Sequence, residues 1–297
     1  AGVGAVPFVT VKEMQAIDEV FNKVVPIAAQ AEHDALHASE LVRTLLHGDV
    51  RGRHIAVLAG SGGNAVTGLL SARRLLAWGA TVRVVLCSGE AKLKGYAKDA
   101  GEALRELERC GCALTVVDAA TESADVGAGN WTADRAALCI TGPPDAPPLD
   151  MIVDAIFGYS LKGDPRPLQA QIILGANAQK CSVVAIGVPS GLDLVSGRVR
   201  EPCIRASATL CVVLPKLGVE SAEARACVGD YFIADTGVPP AVIGCAVGLA
   251  VPPLFAMSTV VHVPLDSAVD ATFTHFRPAT RLCSALSYCV RAARGDI

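Results

Sequence analysis

The sequence predicts an α/β fold, with a mostly parallel sheet covered on both faces by helices. Two observations carry this. Short continuous apolar runs recur from residue 54 onward, and amphipathic stretches separate them. Strands buried on both faces read as uninterrupted hydrophobic runs, and parallel pairing requires a crossover between them. The totals agree: of 297 residues, 52% are hydrophobic and 19% charged, which suits a large core and excludes global disorder.

The opening segment, TVKEMQAIDEVFNKV (10–24), places Met14, Ile17, Val20 and Phe21 at helical spacing. Thr10 with Glu13 has the pattern of a capping box. DALHASELVRTLLHG (34–48) is a second helix ending at a glycine. The alternation then begins. HIAVLAG (54–60) is a strand, GLLSARRLLAWGA (68–80) a helix, TVRVVLCS (81–88) a strand, KDAGEALRELERCG (98–111) a helix and ALTVVDAA (113–120) a strand. TESADVGAGN (121–130) and TGPPDAPPLD (141–150) are rich in Gly, Pro and Asp and read as surface loops. Between them AALCI, with Cys139, reads as a strand. MIVDAIFG (151–158) and SVVAIGVP (182–189) are further strands, with PLQAQIILGANAQK (167–180) as the helix joining them. ASATLCVVLP (206–215) and VGDYFIAD (228–235) complete the series. Residues 1–265 therefore read as one domain. Residues 266–297 break the alternation and read as a C-terminal extension, with a short basic helix around 280–294.

Composition narrows the function classes. A net charge of −3 gives no bulk attraction to nucleic acid or to a membrane surface. The most apolar segment, 247–265, is broken by three prolines, so no membrane span is expected. The start AGVGAVPFVTVKEM lacks a secretory pattern. Eleven cysteines without a repeating spacing read as reduced, structural residues of an intracellular protein, cytoplasmic or organellar.

The loop AGSGGNAVTGLL (59–70) joins the first strand to its helix and matches G-x-G-x-x-A through Gly60, Gly62 and Ala65. A dehydrogenase-type dinucleotide site, a plain tight turn and a phosphate or nucleotide cradle of another kind are all open, and the loop looks longer than the dehydrogenase form. The cradle is the preferred reading, because backbone N–H groups at a helix start favour anions. His33 and His37 lie four apart and read as a solvated helix face, there being no third metal ligand in the sequence nearby. The run VVAIGVPSGLDLVSG (183–197) ends a strand in a tight turn, at the strand edge where open α/β sheets place their chemistry.

Together these segments resemble the YjeF N-terminal domain family, whose best-known activity is NAD(P)H-hydrate epimerisation. The likeness runs through VTVKEMQAIDEVF and the loop after the first strand, and is strongest at IVDAIFGYSLKGDPRPL (152–168) and VVAIGVPSGLDLVSG. The resemblance implies a three-layer αβα Rossmann-like sandwich. It implies binding of NAD(P)H, its hydrate or a related nucleotide by Gly63, Asn64, Ala65, Val66 and Thr67, and by Gly158, Tyr159, Ser160, Leu161, Lys162, Gly163 and Asp164. It implies a potassium ion held by Asn64, Asp154 and Ser190. Family members act at C6 of the hydrated nicotinamide ring, where a carboxylate can relay protons and stabilise a cationic intermediate. That carboxylate belongs two residues before the proline of P-S-G, where this chain has Gly187. A second family acid falls at Thr67, and the first loop Asn at Gly63. No catalytic residue is therefore carried across, and epimerase activity is in doubt. The alternative is a non-catalytic module: the same domain without its catalytic residues forms the dimerising end of enhancer-of-mRNA-decapping scaffolds. A homodimer is expected on either reading.

Overall fold

The computed structural model describes residues 6–127, 130–159, 161, 163–265 and 277–278. Eleven strands occur among them: β1 (His54–Ala59), β2 (Thr81–Leu86), β3 (Leu114–Asp118), β4 (Met151–Ala155), β5 (Ser182–Ile186), β6 (Leu192–Asp193), β7 (Arg198–Val199), β8 (Ala208–Val212), β9 (Asp230–Ala234), β10 (Val260–His262) and β11 (Arg277–Pro278). Nine of them form one sheet in the order β11-β10-β9-β8-β5-β4-β1-β2-β3. From β9 to β3 every pair is parallel, while β10 and β11 add antiparallel at one edge. The strand order reverses between β1 and β4, which makes that crevice the topological switch point.

The helices are α1 (Val11–Phe21), α2 (Ile27–Leu45), α3 (Gly63–Ala77), α4 (Tyr96–Arg109), α5 (Ala119–Val126), α6 (Ala133–Thr141), α7 (Pro167–Asn177), α8 (Ala222–Val228) and α9 (Pro240–Val247). One face of the sheet is covered by α2, α3 and α4, through residues such as Leu41, Leu69, Leu75 and Leu104. The opposite face is covered by α6 and α7 through Ile140, Ile172 and Ile173. A third cluster, built on Ile17, Tyr231 and Ile233, joins α1, α8 and α9 to the β8–β10 end. The three-layer αβα sandwich is present.

Several local expectations are corrected. The stretch read as a loop at 121–130 is largely α5, because the Asp118 carboxylate accepts hydrogen bonds from Ala120 N (2.9 Å) and Thr121 N (3.2 Å) and caps it. Cys139 lies on α6 instead of a strand, in register with buried Ala136 and Ile140. The second helix starts at Ile27, seven residues early, with Pro26 at its cap. The short α8 and α9 and the edge strand β10 were missed. The extension expected from 266 lies outside the described residues except for β11, and the basic helix at 280–294 lies wholly outside them.

The amino-terminal capping box is formed. Thr10 N donates to Glu13 Oε2 at 2.7 Å, and Glu13 N donates to Thr10 Oγ1 at 3.1 Å. Thr10→Ala should lower stability by about 1 kcal/mol in urea unfolding. A midpoint equal to wild type would show that α1 is held by packing alone.

Candidate functional site

The site forms where β1, β4 and β5 end side by side. Asn64 stands in the first turn of α3 and reaches across both neighbouring loops: its Nδ2 donates to Phe157 O at 2.7 Å and to Ile186 O at 2.6 Å. Helix α3 starts at Gly63, so Asn64, Ala65, Val66 and Thr67 are helical rather than part of a long loop. Ala65 thus occupies the opening helical turn, as in a dinucleotide fingerprint. Gly60 explains the close approach of β1 to β4, since a Cβ there would lie 1.9 Å from Ile156 O.

Asp154 is the last polar position of β4 and has no exposed surface. Its carboxylate accepts from Ser190 Oγ (2.7 Å), Ser190 N (2.7 Å) and Ile156 N (3.2 Å). Ser190 Oγ in turn accepts from Phe157 N at 2.9 Å. Burial pushes the Asp154 carboxyl up to about 6, against those hydrogen bonds. The three expected ion ligands therefore occupy one strand-end network, with Asp154 and Ser190 joined directly and Asn64 tied to the same loops through carbonyls.

Gly187 follows β5 with φ +75°, and its Cβ would sit 3.2 Å from Asn64 Oδ1. The empty acid position thus borders the Asn64 amide. Thr67, at the second acid position, is buried. Gly158 also lies against Asn64, and Tyr159 leaves the site to donate from its hydroxyl to Asp18 Oδ2 on α1, at 2.9 Å.

A cleft of about 570 Å³ opens from the switch point, lined by Gly62, Phe157, Gly158, Leu161 and Asp164 among others. The start of α3 faces it, an arrangement that favours anions. Lys92 and Arg166 add positive charge to its wall. Gln169, which belongs to no motif that marks it out, lines the cleft with its amide fixed by a 2.7 Å hydrogen bond from Nε2 to Cys87 O. Its Oε1 is buried without a partner. Of the expected phosphate loop, Gly158, Tyr159, Leu161, Gly163 and Asp164 are described, and Asp164 approaches Arg200 at 3.9 Å. Ser160 and Lys162 lie outside the described residues. The His33–His37 face is corrected: His37 is buried, while His33 is exposed.

A family model described as YjeF-related protein N-terminus matches residues 28–218. The chain is 31% identical over 233 residues to the bifunctional NAD(P)H-hydrate repair enzyme Nnr of Moorella thermoacetica, covering 78% of this chain and 40% of that protein. It is 30% identical over 240 residues to an NAD(P)H-hydrate epimerase of Dehalogenimonas lykanthroporepellens, covering 80% of this chain and 85% of that one. The crystal structure of yeast ynu0 superposes with a TM-score of 0.65 at 20% identity, over 86% of this chain and all of the yeast chain, and shares the fold. The chain thus spans less than half the length of the bifunctional relative.

Proposed function

This chain belongs to the family of YjeF-related protein N-termini, and on that premise we propose that it binds a nicotinamide nucleotide, or its hydrate, in the cleft at the carboxyl edge of the sheet. One observation carries the reading: the Asn64–Asp154–Ser190 network is intact beside a cleft of nucleotide size that is lined by a helix start and two cations. Relatives named for NAD(P)H-hydrate repair support the same ligand class. Interconversion of hydrate epimers is the activity proposed, without a carboxylate at Gly187 or Thr67.

Potassium is part of this proposal. Asp154 is a fully buried carboxyl with no cationic side chain among its hydrogen-bond partners. Asn64 Oδ1 and Ser190 Oγ supply further hard oxygen donors of the kind a weakly held cation takes. When bound, the ion would fix the strand ends and neutralise negative charge beside the ligand.

Titration calorimetry with NADPH, its hydrate and ADP-ribose, in potassium and then sodium buffer, tests both parts. Saturable binding at one site per chain, tighter in potassium, is expected. Flat titrations with folded protein would overturn the ligand reading, and identical affinities in both buffers the ion. We place the protein in an intracellular compartment, a reading supported by nine free cysteines among the described residues. Among those residues no helix is long and apolar enough to cross a membrane.

The missing acids favour a second reading as a dimerising module without catalysis. A homodimer is expected on either reading, so the rate of epimer interconversion separates the two: catalysis above the uncatalysed rate would remove the module, and a lone monomer in light scattering would count against it.

A further inference from the structure

A cluster of ionisable groups lies where α1 and α2 meet the β8 end of the sheet, apart from the Asn64–Asp154–Ser190 network. Asp18 of α1, Asp34 of α2, Tyr159 and Lys216 come together there from four parts of the chain. Lys216 is only 3% exposed, and its Nζ donates to the carbonyls of Val212 (2.9 Å) and Leu214 (2.7 Å). Asp18 receives the Tyr159 hydroxyl. Asp34 is half-buried, and its Oδ1 is enclosed without a hydrogen-bond partner.

Topology brings this cluster to Gly187. Gly187 N donates to Leu210 O on the adjacent strand β8, at 2.7 Å. The Lys216 ammonium hangs from Val212, two residues further along that strand, or about 7 Å. Asp34 approaches from above the sheet. Helix α2 crosses β8 and packs on α3, where Ser71 Oγ lies 3.3 Å from Ala35 O. Because α2 runs down to the start of β1, its amino-terminal half lies toward the carboxyl edge. Helical side chains lean toward the helix N-terminus, so the Asp34 carboxyl is directed to that edge. On α3, Arg73 and Arg74 are engaged elsewhere, by Glu32 at 2.7 and 3.1 Å.

Both carboxyls feel the charge of the Lys216 ammonium, whose own hydrogen bonds go to the Val212 and Leu214 carbonyls. Asp18 also has the tyrosine donor, while Asp34 has none. Burial, with the charge on Asp18 adding to it and Lys216 opposing, pushes the Asp34 carboxyl up to about 7.

We propose that Asp34, backed by Asp18 and Lys216, supplies the proton-handling carboxyl that position 187 lacks. This rests on the nicotinamide-hydrate reading of the cleft. The acid form gives its proton to the C6 hydroxyl as the C6–O bond breaks, and water leaves. The ring nitrogen's electron pair moves in, so the ring carries the positive charge as an iminium. Water then adds to the opposite face and loses a proton to solvent, from which the carboxylate recovers its own. No co-reactant is consumed.

The test uses the full chain, separated epimers of hydrated NADH and chromatographic measurement of their interconversion. Wild type should exceed the uncatalysed rate, with a loss of rate as pH rises through about 7. Asp34→Asn should lower kcat about 10²-fold and abolish that limb, with NADPH affinity unchanged. Stability gives an independent readout. A carboxyl held near 7 in the folded chain and near 4 when unfolded contributes stability that is complete below pH 4 and is lost progressively up to pH 7. The Asn variant should lose that slope. Tyr159→Phe, which removes only the donor to Asp18, should shift the limb and lower the rate several-fold. This second variant decides if Asp34→Asn does not fold.

An Asn variant as fast as wild type would overturn the proposal. So would wild type that binds NADPH yet does not beat the uncatalysed rate, which leaves the binding site standing. Failure to bind NADPH at all would instead remove the reading beneath both.

Discussion

Gly187→Asp is expected to raise epimer interconversion about 10²-fold while lowering stability by about 1 kcal/mol. The gain follows from position. The residue follows β5 beside Asn64, and its N–H donates to Leu210 O on β8. A carboxylate there would add a second proton relay and a negative charge to steady a cationic ring. The loss follows from the backbone. With φ at +75°, any side chain is strained, although aspartate tolerates the left-handed region better than most. Its Cβ would stand 3.2 Å from Asn64 Oδ1 and 3.3 Å from Nδ2, so the amide must yield by a few tenths of an ångström. Rates on separated epimers and urea midpoints measure both sides. The same change should restore most of the rate lost in Asp34→Asn, since the two carboxyls would serve one reaction. An unchanged rate with intact NADPH affinity would show that the acid position is not all the site lacks.

The second large effect is expected from Asp154→Ala. This carboxylate has no exposed surface and gathers three donors, two from Ser190 and one from Ile156 N. Truncation strands two buried backbone N–H groups and a hydroxyl and leaves a void, which should cost about 3 kcal/mol or more. It also frees the P-S-G turn from β4 and the Phe157–Gly158 segment from Ser190. NADPH binding should therefore fall below detection even where the variant remains folded. Asp154→Asn keeps one acceptor oxygen and should lose about half as much stability. A urea midpoint within experimental error of wild type for the alanine variant would contradict this account of the network.

The sheet was legible because its strands are buried on both faces and so are nearly pure apolar runs, as in HIAVLAG and MIVDAIFG. The Asn64–Asp154–Ser190 network was legible because each of the three lies in or just after such a run, within a recognisable motif. Composition misled at 121–130, where small polar residues disguised α5 and the deciding cap, Asp118, lay at the end of the preceding strand. It misled at Cys139 too, where a short apolar run on a helix cannot be told from a strand by hydropathy alone. Asp34 was invisible for a different reason. Its partners are 16 residues upstream at Asp18 and 182 downstream at Lys216, and no spacing rule links them. Only packing does: Val9 N donates to Pro215 O and Leu217 N to Val9 O, which seats the start of α1 beside the lysine.

The strand order β8-β5-β4-β1-β2-β3 has a consequence for how this chain emerges from a ribosome. The first three strands lie together on one side and can pair once residue 118 has cleared the exit tunnel. Asn64 is then already in place but has neither acceptor, because Phe157 and Ile186 have yet to be made. Helix α1 must likewise wait for the segment around Lys216 and for α9. The earliest-synthesised side chains of the site are thus held open for the latest, so a pause in translation between residues 118 and 151 would expose a half-sheet whose inner edge, β1, still lacks β4.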